Sequence, residues 1–150
     1  MALFSLICNL LACQKAAENS EHELSEITSV SISCGHTNRN NGYSFWVHKK
    51  DNCWLFDAEC FTHNYEKETR FKDQSLNRKD EEKLFDILSK NESISYAENY
   101  KKSKMSSLRA VDDTVYAFCL CFSDEKQYLT NDRQKDLELY FYCLAEKYSK

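Results

Sequence analysis

From Ile27 to Phe61 polar and apolar side chains alternate with a period of two, which constrains the fold more than any other feature of the chain. In ITSVSISC (27–34), Val30, Ile32 and Cys34 share one face and serines take the other. HTNRNNG (36–42) is turn chemistry ending in Gly42. YSFWVH (43–48) then places Tyr43, Phe45 and Val47 on one side. A corner at Lys49–Asn52 returns the chain as CWLFDAECF (53–61), with Trp54, Phe56, Ala58 and Cys60 facing inward. A stripe of period two buries nothing on a helix, so residues 27–34 read as a half-buried strand and 43–61 as a β-hairpin.

The remaining segments extend this pattern. Residues 68–75 read as a further strand. Asn77 caps a helix over 78–90 whose apolar stripe is Leu84, Phe85, Ile87 and Leu88. Asn91 to Asp113 is rich in Lys and Ser and reads as an irregular connection, with Ile94 and Tyr96 pinned to the body. TVYAFCLCF (114–122) is apolar on both faces, as expected of a central strand, and turns through Ser123–Lys126 into QYLT (127–130). A cap at Thr130 or Asn131 opens a last helix carrying Leu137, Tyr140, Phe141, Leu144 and Tyr148 at helical spacing. The chain has two Gly and no Pro, so its turns rely on Asn, Asp, Ser and Lys. The expected fold is α+β: an antiparallel sheet of about five or six strands, arranged as hairpins. Two amphipathic helices pack on one of its faces, and an apolar N-terminal helical segment precedes it.

A length of 150 residues suits one domain and a substantial core. A net charge of −4 disfavours nucleic acid as a partner, because a polyanion needs a basic face. Two glycines leave no room for a backbone phosphate cradle, and neither a G-x-S-x-G elbow nor an H-E-x-x-H pair is present. The chain is therefore expected to be non-enzymatic and to carry no cofactor.

Several residue groups could still carry chemistry. Cys34 and His36, with Cys60 and His63, are the best metal candidates, since two thiols and two imidazoles suit tetrahedral zinc. The competing reading is core cysteines and surface histidines. In an oxidising compartment Cys34–Cys60 is instead one of the 15 pairings open to six cysteines. Asp57 and Glu59 share a strand face, where carboxylates with separated pKa values can do acid–base work. Their simplest role is solvation of the outer face. Tyr100, Lys101, Lys102, Lys104 and Arg109 form a basic, aromatic loop that is the expected contact surface.

Residues 1–13 carry no charged side chain, and they are too short to span a bilayer but long enough for a signal core. A polar tether follows over 14–26, QKAAENSEHELSE, before a single α+β domain over 27–150. Leu10-Leu11-Ala12-Cys13 matches the lipid-attachment signal of bacterial lipoproteins, with a small residue before the cysteine that takes the lipid. Together with YSFWV…WLFDAE and FSDEKQYLTNDRQKDLELYFYCLAEKY, this layout resembles small lipoproteins of Gram-positive gut bacteria, a group without an assigned activity. The resemblance implies a binding module held on the extracytoplasmic face of the cell membrane through lipid on Cys13, with an unidentified protein partner. The alternative expectation is a small cytoplasmic acidic inhibitor or adaptor, such as a phage-type inhibitor of bacterial defence, with residues 1–18 as a packed helix.

Overall fold

The computed structural model describes residues 20–36, 42–61, 69–100 and 114–150. Six strands, β1 (Ile27–His36), β2 (Gly42–Lys50), β3 (Cys53–Phe61), β4 (Thr69–Ser75), β5 (Thr114–Phe122) and β6 (Gln127–Thr130), form one sheet in the order β4-β3-β2-β1-β5-β6. Every pairing is antiparallel. The helices are α1 (Arg78–Lys90), α2 (Ser93–Glu98) and α3 (Lys135–Tyr148), and a 3-10 turn at Leu24–Glu26 leads into β1. The fold is therefore α+β, as expected. The expected apolar N-terminal helix lies outside the described residues.

The first four strands form a meander, and β1 occupies the middle of the sheet because β5 returns to its free side. The β2–β3 turn has two central residues, Asp51 and Asn52, with φ of 50° and 63°. Both residues are left-handed, the geometry of a two-residue hairpin turn that matches strand twist. Asp and Asn tolerate that conformation better than other non-glycine residues, so this glycine-poor chain builds a tight hairpin without glycine there.

The inward-facing strand residues Val30, Phe45, Val47, Phe56, Phe118 and Leu120 are completely buried. α3 lays Leu137, Tyr140, Phe141 and Leu144 against them. Phe141 stacks on Phe56 at 5.6 Å and tilts against Phe45 at 5.8 Å. Asn77 caps α1 by accepting the Asp80 N–H, as expected of its side chain. Leu84 and Leu88 are buried, and Phe85 meets Trp54 edge-on. Asp80 joins the two long helices: its carbonyl accepts the Tyr140 hydroxyl at 2.5 Å, and its carboxylate holds Lys147 at 2.6 Å and Tyr148 at 2.5 Å.

Two segments differ from the sequence reading. Residues 93–98, read as irregular, are the short helix α2, which buries Ile94 and Ala97. A six-residue helix has too few turns to show a stripe, and its order comes from packing. β5 lies inside the sheet, as expected, but only Phe118, Leu120 and Phe122 are buried, while Val115 on its other face is 43% exposed.

Candidate functional site on the open face of the sheet

Ring contacts from α1 and α3 all meet the inward face, and α2 joins the same side through Glu98 and His22. No described helix lies on the opposite face. The register aligns its side chains in rows across the sheet. One row runs Asp57, Trp46, Ser31, Cys119, Leu129, and the next Leu55, His48, Ser29, Cys121, Gln127. Trp46 is 42% exposed and Leu129 50% exposed, whereas the serines of β1 are small. The result is a shallow strip of short side chains between larger apolar ones.

At the β3–β4 end of this face a bulge changes the register between Phe56 and Ala58, so that Lys72 and Asp73 together oppose Asp57. Asp73 takes a left-handed backbone, with φ of 55°, and its N–H donates to Asp57 Oδ1 at 2.7 Å. His48, on β2, brings Nε2 to 3.8 Å from Asp73 Oδ1. One ligand atom from each of His48, Asp57 and Asp73 lies within 4.8 Å of the others. The His48 ring stacks on Trp46 with 4.0 Å between centroids, and its Nδ1 is buried without a hydrogen-bond partner.

Asp57 and Glu59 both face outward, as read from the alternation, but they do not act as a pair. Glu59 binds Arg70 at 2.8 Å, and Asp57 serves Asp73. The His48–Asp57–Asp73 group was not legible in sequence, because it depends on a bulge joining three strands. The one signal was a histidine on the same strand face as Trp46.

The other sequence candidates fall elsewhere. Cys34 pairs in register with Tyr43, and Tyr43 with Cys60. A whole strand therefore separates the two cysteines, about 10 Å between Cα atoms, whereas a disulfide reaches about 7 Å. Both thiols are free and buried, and burial pushes Cys60 up to about 11. The His36 side chain and His63 lie outside the described residues, as do Cys13, Lys101, Lys102, Lys104 and Arg109. Tyr100 is tied to the body, with its hydroxyl 3.4 Å from the Asn131 N–H and its ring tilted against Tyr96. Cys119 and Cys121 sit side by side on the open face, with sulfurs 3.9 Å apart. Burial is the main reason that Cys119 rises to about 12, and Cys121 adds to it. That thiol is protonated at neutral pH and a poor nucleophile.

A second titratable group lies within the stretch read as a tether. Residues 20–26 are fastened to the body, and His22 is only 4% exposed. Its Nδ1 lies 2.8 Å from Glu98 Oε1 and its Nε2 3.1 Å from Asp124 Oδ2. The ring stacks on Phe122 at 4.1 Å. Glu98 also accepts the backbone N–H groups of Glu21 at 2.8 Å and His22 at 3.0 Å. With a carboxylate on each nitrogen, only the imidazolium donates to both, and hydrogen bonding to Glu98 raises the His22 pKa. Asp124 is lowered in turn by His22, and Glu21 by Lys126, which binds it directly. Each of these charges has its counterpart, so the cluster acts as a clasp between residues 20–26, α2 and the β5–β6 turn.

Among the described residues no helix is long and apolar enough to cross a membrane. Compared with known proteins, the chain matches no protein-family model, no curated protein and no solved structure.

Proposed function

We propose that the chain is a non-enzymatic binding module that uses the open sheet face as its contact surface and is tethered to a membrane by lipid on Cys13. The observation that carries the contact surface is the cross-strand row from Trp46 to Leu129, two large, half-exposed apolar side chains flanking Ser31 and Cys119. Trp anchors protein interfaces because it buries much area while losing little side-chain entropy. Six strands at about 4.8 Å spacing and about eight residues in mean length make a face of roughly 750 Å². Specific complexes bury about 800 Å² per partner, so the face is large enough for a contact with another protein. The complementary surface is an apolar ridge narrow enough to lie along the serines of β1.

The tether rests on Leu10-Leu11-Ala12-Cys13. Because the Glu21 N–H is already bound to Glu98 on the body, the chain from Cys13 to Glu21 reaches at most about 29 Å. A module on so short a lead works close to the bilayer.

A photocrosslinker at position 46 and one at position 129 should trap the same discrete adduct in cells, and one at the exposed Leu139 of α3 should not. Different adducts from 46 and 129, or none, would remove the contact surface. For the anchor, an acyl-chain label should mark the wild type and not Cys13→Ser. Equal labelling of both rejects it.

A further inference from the structure

We propose that Cys119 and Cys121 form a binding site for copper(I), the soft monovalent ion that a pair of thiolates can hold. They stand two residues apart on β5, with their side chains on the open face and their sulfurs 3.9 Å from each other. Cys119 lies in register between Ser31 and Leu129, and Cys121 between Ser29 and Gln127. The serines are short, so on the β1 side an incoming ion meets little side-chain bulk. The site lies on the face proposed for protein contact but does not depend on that reading.

Core filling does not account for the pair. Buried cysteines ordinarily serve as small hydrophobes, and Cys34 and Cys60 do so on the inward face. Cys119 and Cys121 point the other way, alternating with the buried Phe118, Leu120 and Phe122, and each is only partly covered. Spacing does not favour a disulfide either. Two residues along a strand put their Cα atoms about 6.8 Å apart, at the far limit of what a disulfide spans. Both thiols are free. The strand therefore holds two reduced sulfurs side by side, the arrangement that a bridging ion requires.

Geometry and donor type select the ion. With metal–sulfur bonds of about 2.3 Å, a separation of 3.9 Å subtends roughly 115° at the metal. That angle is close to trigonal and leaves an outward position for a sulfur from a small thiol or a docked partner. Among the described residues no third histidine, cysteine or carboxylate ligand joins the two sulfurs. Zinc takes three or four protein ligands, whereas copper(I) is held by few, soft ones. On binding, both S–H bonds break, two copper–sulfur bonds form and two protons pass to solvent. Copper stays monovalent throughout, so the step needs no oxidant or reductant. Burial, with Cys121 beside it, keeps the Cys119 thiol protonated, so the ion displaces a proton and affinity rises with pH.

The test titrates the full chain, reduced and under argon, with copper(I) as its acetonitrile complex against a chromogenic copper(I) chelator. The chain should withdraw one equivalent from the chelator. Cys119→Ser and Cys121→Ser should each weaken that binding by more than the roughly 10-fold that a lost supporting contact costs, with unchanged circular dichroism. Cys119→Ala and Cys121→Ala should do the same, which separates loss of the thiol from any effect of a new hydroxyl. The Cys53→Ser/Cys143→Ser variant, which lacks the two exposed thiols, should keep the equivalent. X-ray absorption of the unmutated chain should show copper bound by sulfur alone. Copper that survives loss of either thiol overturns the site, as does copper lost with Cys53 and Cys143 or surrounded by oxygen or nitrogen. Photocrosslinking at positions 46 and 129 reads the contact surface independently of metal, so the two proposals fail separately.

Discussion

His22 departs from the expectation that the polar residues of a tether stay in water. It is buried between Glu98 and Asp124, 76 and 102 residues distant in sequence, and its hydrogen bond to Glu98 favours the protonated ring. Its folded pKa lies above the unfolded value of about 6.5, so its contribution is complete below that pH and is lost as pH rises through the raised value. Asp124 and Glu21 have lowered values, so their contributions are present above about pH 4 and fade as pH falls through the folded values. The clasp is therefore strongest from about pH 4.5 to 6.5. Urea unfolding midpoints should fall between pH 6 and 8, below the usual ionisation of free thiols at about 8.5. His22→Gln should be less stable at pH 6 and should flatten that decline. A variant with the wild-type slope would show that the loss arises elsewhere.

At the scale of elements, the two glycines have different roles. Gly42 opens β2 opposite Gly35, and a Cβ added to it would sit 2.5 Å from the Cys34 carbonyl oxygen. The constraint is close approach of β1 rather than backbone conformation, and the obstructing atom belongs to a strand that cannot move alone. Gly42→Ala should cost about 1–3 kcal/mol, the range for forced overpacking. A Cβ on Gly35 meets nothing within 4 Å, so Gly35→Ala should shift the urea midpoint much less. Equal losses from the two would reject the explanation. The elements themselves were mostly legible. Alternation marked β1, β2 and β3, and Asn77 with the Leu84–Leu88 stripe marked the limits of α1. Thr130 and Asn131 were the expected caps of α3, yet the helix starts after Gln134 without a side-chain cap. Its position follows the buried Leu137 and Phe141, since packing a face outweighs a cap of about 1 kcal/mol. α2 was missed for the same reason, because its order is imposed by Ile94 and Ala97 docking rather than by local propensity.

At the scale of the whole molecule, the sheet among the described residues has one face covered by helices and one face that no helix covers, and both conditions can be traced to sequence pattern. The inward residues of β1, β2, β3 and β5 are mostly large and apolar, so that face must be covered, and α1 and α3 supply matching stripes. The outward residues are mixed: serines on β1, Trp46 and His48 on β2, acids on β3, thiols on β5. Such a mixture needs no cover to be soluble, but it still offers anchors such as Trp46 and Leu129 to a partner. By itself the sequence determined the fold class, the hairpins, the two long helices and the inward face of β1, β2 and β3. Those follow from period and capping, which act over a few neighbouring residues. Only the tertiary structure decided which strands are neighbours, and with that the chemistry. Return of β5 to β1 aligned Trp46 with Leu129, a bulge set Asp73 beside His48, and β2 came to lie between Cys34 and Cys60. Burial of His22 needed two distant carboxylates at once. Each is a contact between residues far apart in sequence, chosen by how the whole core packs, and no local pattern encodes it.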